Sequence, residues 1–171
     1  NGIGLSLEDI KLLEKERRAK EAKFLLQSER LNLGISPLSV LTGSPAATLT
    51  SEVFGGEIQV YAKQGPKDNI HLQSTASDIS LATLPTSGAA WSLDFLGQLK
   101  LDSDINFPLN RFSKAKGTLS LGAENMKLES GTILIKTLPE ITFNEVGIDF
   151  DLEKGKATVK KGIVASDKLD V

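Results

Sequence analysis

The sequence predicts a mainly β protein: a long, curved antiparallel sheet, bent into a groove or forming a partly closed sandwich, with one or two short helices. Three observations support this fold class. Apolar residues recur at every second position over most of the 171 residues, as in strands with one buried face. Glycine- and proline-containing turn signals separate these stretches. No strand alternates with a long amphipathic helix, as it would in a parallel sheet, so we expect a single β domain over residues 1–171.

A ten-residue pattern occurs three times, at residues 3–12, 72–81 and 119–128. Its first, third, fifth, eighth and tenth positions are apolar, with exceptions. Steps of two indicate strands, but the single step of three would turn the rest of a regular strand to the wrong face. One extra residue, in a β-bulge or a sharp bend, restores the face.

Three pairs of residues mark these predicted bends. The apolar residues that follow the step are Ile10, Ile79 and Met126, and those before it are Asp9, Asp78 and Asn125. Asp and Asn adopt unusual backbone angles more readily than most residues. The repeated pattern therefore predicts a strand that bends once and keeps one apolar face.

The same alternation predicts the other strands in order along the chain. They lie at residues 31–33, 49–53, 58–62, 93–107, 146–152, 157–159, 163–165 and 169–171. Gly55 and Gly56 are predicted to form a hairpin turn, and the sequence EKGK at 153–156 forms another. Residues 93–107 are either one long strand or two strands with a kink.

Other segments do not fit the strand pattern. Residues 14–23 (EKERRAKEAK) have high helix propensity but almost no apolar face, so an exposed helical turn and a charged hairpin loop are both open. Ser36 to Gly43 predicts a short helix, with Ser36 as N-cap, Pro37 in the first turn and Gly43 after the end. Residues 82–91 show a weaker version of that pattern.

The residue types argue against catalysis. Without cysteine there is no thiol nucleophile, disulfide or thiolate metal site, and a net charge of −2 gives no attraction to nucleic acid. His71, the only histidine, falls on the polar face and is predicted to be a surface residue. Asp102 and Asp104 share the solvent face without the continuation of a calcium loop. We therefore expect no enzyme, no metal and no cofactor.

The one candidate site is the apolar face itself, which is too rich in leucine and isoleucine for the few helices available to cover it. Its candidate lining residues are Leu72, Phe95, Leu99, Leu101, Leu119 and Leu121. They either line a groove for an apolar ligand or form an ordinary core.

A set of longer motifs resembles a known family. The motifs are ERLNLGISPLSVLTG at 29–43, VFGGEIQV at 53–60, STASDISLATLP at 74–85, GQLKLD at 97–102 and the closing segment 131–171. Together they resemble the periplasmic part of the type II secretion system protein N family, which is similar in turn to AsmA-like envelope proteins. The resemblance covers nearly the whole chain, and the charged segment 14–23 would be an insertion.

The resemblance implies a place and a role. An inner-membrane helix removed upstream would anchor the domain in the periplasm of a Gram-negative bacterium. The protein would be an accessory or structural component of the type II secretion machinery, acting through contacts with other envelope proteins. The AsmA-like kinship implies an alternative, a lipid-binding or lipid-transport groove. If the resemblance is false, a plain cytoplasmic β-sandwich remains open.

Overall fold

The computed structural model describes residues 3–14, 23–84, 91–133 and 136–166. These residues form one antiparallel sheet that is not closed, with few helices, which confirms the predicted fold class. The longer strands are β1 (Ile3–Glu14), β2 (Lys23–Ile35), β3 (Ala46–Val53), β4 (Gly56–Gln64), β5 (Asn69–Ser80), β6 (Trp91–Pro108), β7 (Lys116–Ile133), β10 (Glu145–Glu153) and β11 (Lys156–Ala165). They are hydrogen-bonded in that order, and the short β8 (Lys136–Leu138) and β9 (Ile141–Thr142) pair with β7.

The strand register places apolar and polar residues in separate rows across the whole sheet. One row, from β1 to β11, consists of Leu5, Leu33, Leu49, Val60, Ser74, Ser103, Leu119, Phe150 and Val159. The adjacent row consists of Ser6, Asn32, Thr50, Gln59, Thr75, Asp102, Ser120, Asp149 and Lys161. Because successive side chains of a strand point to opposite faces, the sheet has one apolar face and one polar face.

The bends predicted from the repeated pattern are present. The backbone φ angles are +53° at Asp9, +58° at Asp78 and +51° at Asn125. These values lie in the left-handed region, which Asp and Asn visit more readily than other non-glycine residues. After the bend at Asp78, Ile79 pairs with Leu99 on the apolar face, as the pattern required.

The neighbouring strands accommodate these bends. Opposite the bend in β7, Gly97 has a φ of +122°, and a Cβ atom there would lie 2.9 Å from both the Glu124 carbonyl oxygen and Met126 Cα. In β2 the register against β3 shifts by one residue at Glu29. Strand β6 is one long strand, the first of the two predicted alternatives, and its backbone bends at Gly97.

The hairpin between β3 and β4 turns one residue earlier than predicted. Its turn residues are Phe54 (φ +51°) and Gly55 (φ +76°), a pair of positive angles that suits a two-residue hairpin. Gly56 is instead the first residue of β4, because it lies against β5. A Cβ atom at Gly56 would be 2.3 Å from the Ser77 carbonyl oxygen, so close packing rather than turn geometry requires this glycine.

Strand β11 departs from simple alternation. The register between β10 and β11 shifts after Asp149, which leaves Lys160 as an extra residue. Beyond it, Ile163 pairs with Gly147, one step out of phase with the apolar positions of β10, and Val164 pairs with Val146. The predicted strand at 163–165 is present. Ile163 and Ala165, however, lie in register with the polar positions of β10, whereas Val159 lies in register with the apolar ones.

The short helix α1 (Pro37–Leu41) confirms the prediction for residues 36–43. The Ser36 hydroxyl accepts a hydrogen bond from Ser39 N, Pro37 lies in the first turn, and Gly43 has a φ of +71° after the helix. Of the weaker segment 82–91, the first residues belong to a 3-10 turn at Leu81–Thr83. Residues 15–22, 85–90 and 167–171 lie outside the described residues. The two alternatives for the charged segment 14–23 and the predicted strand at 169–171 fall largely or wholly on them.

The core that the described residues form is small for a chain of this length. The most deeply buried large apolar residues are Val53, Leu128 and Ile79, with 2%, 3% and 6% of their surface exposed, and all three lie near the bends. The whole chain exposes 12321 Å², whereas a compact monomer of this length exposes roughly 8,100 Å². Among the described residues no second layer covers the apolar face, so the sheet leaves much of that face open.

Candidate apolar binding face

The six residues proposed from sequence as groove lining all occupy the apolar face. Their cross-strand pairs are Leu72 with Ile105, Phe95 with Leu128, Leu99 with Ala123, Leu101 with Leu121, and Leu119 with Phe150. Directly paired residues in neighbouring strands project to the same side. The register therefore brings residues from distant parts of the sequence, from Leu72 to Phe150, onto one apolar surface.

A hollow of about 430 Å³ lies on this surface beside the bend in β7. Its wall is aliphatic or glycine backbone throughout: Leu99, Leu121, Gly122, Ala123, Met126, Val146, Gly147, Ile148, Gly162, Ile163 and Val164. Only Leu99 and Leu121 among these were proposed from the sequence. Most of the others lie in β10 and β11, and they were missed because no local pattern encodes the pairing of β7 with β10 and of β10 with β11.

The apolar face is exposed to an unusual degree. Leu121 in the hollow is 36% exposed, Leu5 in β1 is 56% exposed, and Val164 in β11 is 65% exposed. Burying a leucine or isoleucine side chain is worth about 1.5–3 kcal/mol, and that free energy is not gained where the side chain stays in water. Contiguous exposed apolar surface of this kind marks a binding site more often than isolated surface leucines do.

The serine hydroxyl groups between strands of the apolar face already have hydrogen-bond partners, and no charged side chain lines its hollow. Ser28 Oγ donates a 2.8 Å hydrogen bond to the Arg30 carbonyl oxygen and lies 2.8 Å from Ser51 Oγ. Ser74 Oγ lies 2.5 Å from Ser103 Oγ. Because these hydroxyls already have partners, an apolar molecule can cover them without leaving an unsatisfied polar atom.

The polar face has a shallow depression of about 380 Å³, whose lining includes Gln73 and Asp104. His71, the only histidine in the sequence, contacts Asp104 at its margin. His71 Nε2 lies 2.9 Å from Asp104 Oδ1, and Gln73 Nε2 donates a 2.9 Å hydrogen bond to Asp104 Oδ2. The bond from Gln73, and after it the bond and charge of His71, hold the pKa of Asp104 below its usual value. His71 thus lies on the polar face, as predicted, in a surface hydrogen-bond network.

Some of the other charged groups on the described surface form ion pairs, such as Arg30 with Glu52 and Lys160 with Asp151. Lys100 Nζ lies 2.6 Å from Glu124 Oε1, and this hydrogen bond raises the pKa of Lys100. Among the described residues, no group of three or more metal-binding side chains comes together. The polar depression, with Asp102 and Asp104 pointing into solvent, has no feature beyond ordinary surface hydrogen bonding.

No helix within the described ranges has both the length and the apolar character needed to cross a membrane. The structure's one α-helix among these residues, α1, has five residues.

The comparisons with known proteins return no match: no family model, no curated protein and no solved structure is similar to this chain. The structure itself defines the class of protein: an antiparallel sheet whose described strands form one layer with an open, mainly aliphatic face. The kinship with the type II secretion system protein N family and with AsmA-like proteins stays a prediction from sequence motifs.

Proposed function

We propose that this chain is a lipid-binding groove protein of the AsmA-like kind, which holds acyl chains on its apolar face. The observation that supports the proposal is the open aliphatic face with its hollow beside Leu99 and Leu121. Acyl chains fit this face because the wall of the hollow is apolar throughout and carries no charged side chain.

The dimensions of the face suit a lipid. Nine strands in sequence span eight spacings of about 4.8 Å, or roughly 38 Å. One leaflet of a bilayer has a hydrocarbon thickness of about 15 Å, half of the usual core of about 30 Å. An acyl chain lying across the strands would therefore find apolar contact along its whole length.

The energetics also favour a long apolar ligand. Each methylene group that leaves water contributes about 0.8 kcal/mol, so eight methylenes on the face contribute about 6 kcal/mol before the costs of binding. A small apolar solute would gain too little from an open face. The structure thus favours extended aliphatic ligands over compact ones.

Native mass spectrometry of the chain purified from cells tests this proposal. The proposal predicts co-purified lipid, and it predicts severalfold lower lipid occupancy for Leu121→Gln, which puts an amide into the hollow. The matched control is Ser120→Gln, since Ser120 is the adjacent residue on the polar face. Absence of lipid from the unmodified chain, or equal occupancy in both variants, would contradict the proposal.

A second candidate function is the one that the family resemblance implies directly: an accessory component of type II secretion that contacts other envelope proteins. One observation favours it. Strand β1 ends the sheet, and its edge has no strand partner among the described residues. Strand β11, at the other end of the sheet, carries several lysines and the extra residue Lys160, and both features discourage the addition of another strand. Residues 3–7 of β1 carry no charge and no extra residue, so a partner strand can add there more readily.

A secretion assay in the host tests this second function. Leu5→Lys places a charge in β1 and is expected to lower secretion if a partner strand adds there. Val159→Lys is the matched control in β11, since Leu5 and Val159 are 56% and 55% exposed. Unchanged secretion in Leu5→Lys would count against the edge of β1 as a contact site.

The cellular location belongs to the same proposal. The resemblance implies a periplasmic domain held at the inner membrane of a Gram-negative bacterium. A groove for acyl chains fits such an envelope, where lipids must cross an aqueous space. Fractionation of the host cells, followed by protease treatment of spheroplasts, checks this location.

A further inference from the structure

The loops at one end of the strands form a single surface, which we call the loop rim. It comprises residues 36–45, 65–68, 109–115 and 154–155, the connections after β2, β4, β6 and β10. Backbone hydrogen bonds join its neighbouring parts: Gln64 N to Pro45 O (2.8 Å), Leu109 N to Asp68 O (2.8 Å) and Gly155 N to Ala115 O (3.1 Å). Because each loop is tied to the next strand or loop, the rim is one continuous surface.

The loop rim exposes large apolar side chains. Leu38 and Leu41 of α1 are 71% and 83% exposed, and Phe112 is 59% exposed, with Val40 and Leu109 above half. The helix contributes no buried residue, so these side chains do not form a core. Phe112 packs edge-to-face on Phe107 with ring centroids 5.2 Å apart, and Phe107 belongs to the apolar face. The rim therefore extends the apolar face to its margin.

The loop rim is also strongly basic. The basic residues of the loops and of the strand residues that flank them are Lys67, Arg111, Lys114, Lys116, Lys154 and Lys156, and the acidic ones are Asp68 and Glu153. Near the bends, away from the rim, one depression gathers Glu29, Glu52, Glu57 and Asp78. The chain as a whole has a net charge of −2, so the positive charge of the rim is a local property.

We infer that the loop rim docks on the surface of an anionic phospholipid bilayer. Leucine and phenylalanine insert into the boundary between head groups and acyl chains, and adjacent lysine and arginine side chains bind anionic head groups. The rim combines both elements on one hydrogen-bonded surface, and its charge is complementary to such a bilayer. This peripheral contact goes beyond the proposed lipid groove and does not depend on a lipid occupying the apolar face.

Vesicle co-sedimentation with the whole chain tests the inference. The chain should bind vesicles of phosphatidylcholine mixed with phosphatidylglycerol, and added salt or vesicles of phosphatidylcholine alone should weaken binding. Arg111→Glu with Lys114→Glu, and separately Leu38→Asn with Leu41→Asn, should each weaken binding about tenfold or more. The matched control is Lys160→Glu with Lys161→Glu, which makes the same change in charge on β11 outside the rim and should bind like the unmodified chain.

Circular dichroism is the check that each variant is folded, and we expect it to be, because the four substituted rim side chains are exposed. Equal binding by the rim variants and the control would overturn the inference, and so would failure of the unmodified chain to bind anionic vesicles at low salt. Sedimentation velocity measures whether the chain forms a dimer. If the chain dimerises, does not bind vesicles, and becomes monomeric in the rim variants, then the rim contacts a second copy and the inference is also overturned. Native mass spectrometry measures lipid bound to the apolar face and does not depend on vesicle binding. Failure of the lipid-groove proposal can therefore be distinguished from failure of the membrane-docking inference.

Discussion

At the scale of single residues, positive backbone angles decide where the strands bend. Asp9, Asp78 and Asn125 each hold a φ near +55° inside a strand, where ordinary L residues pay about 1–2 kcal/mol. Gly97 accommodates the bend in β7 from the neighbouring strand. The position of the three bends could be predicted from the step of three in the apolar pattern, because that step requires one extra residue.

The first prediction concerns Gly97, whose φ and close contacts both require glycine. Gly97→Ala should lower the free energy of unfolding by about 2 kcal/mol or more, because the new Cβ would press on the β7 backbone in a strained conformation. Chemical denaturation followed by circular dichroism measures this. Gly162→Ala is the control, since a Cβ there meets nothing within 4 Å, and it should change stability by less than about 0.5 kcal/mol. Equal effects of the two changes would show that the kink is not specified at Gly97.

The second prediction concerns the carboxyl group of Asp104. Its pKa is lowered, mainly by the hydrogen bond from Gln73, so its contribution to stability is present above the unfolded-state pKa and is lost as pH falls through the lower folded-state pKa. Gln73→Ala should raise the pKa of Asp104 toward its usual value, and an NMR titration of the carboxyl carbon measures the change. Gln59→Ala, two strands from Asp104, should leave that pKa unchanged. A pKa of Asp104 that is the same with and without Gln73 would contradict the assignment.

At the scale of secondary structure elements, pairing between strands supplies what local patterns do not contain. The alternation of Val146 and Ile148 predicted β10, and the cap at Ser36 predicted α1. The pairing of β10 with β7 could not be predicted, because β8 and β9 intervene in the sequence and pair with β7 as well. The hollow depends on that pairing, so the sequence identified two of its residues and missed the rest.

The third prediction concerns the two buried serines that join β2 and β3. The Ser28 hydroxyl donates to the Arg30 carbonyl oxygen and accepts from Ser51, so Ser28→Ala removes two hydrogen bonds, whereas Ser51→Ala removes one. Ser28→Ala should cost about 2 kcal/mol of stability and Ser51→Ala about 1 kcal/mol. Urea denaturation of both variants makes the comparison. A larger cost for Ser51→Ala would reverse the donor assignment.

At the scale of the whole molecule, the sheet has two faces, and chemistry separates them cleanly. Mainly apolar rows, interrupted by serine pairs such as Ser74 and Ser103, cross the strands on one face, and rows of Ser, Thr, Gln and Asp cross them on the other. Alternation in the sequence predicted this division, because it requires only the period of a strand. The exposure of the apolar face could not be predicted, because the same leucines would serve equally well as the core of a two-layer sandwich. Only the arrangement of all the described strands in one layer distinguishes the two cases.

Site-specific photo-crosslinking tests most directly whether acyl chains lie on the apolar face. A photoreactive phenylalanine analogue at position 121 faces the hollow, and the same analogue at position 120 faces the polar side. After irradiation in cells, we expect covalent lipid adducts from position 121, detected by mass spectrometry, and none above background from position 120. Equal lipid crosslinking from both positions, or none from position 121, would contradict the account.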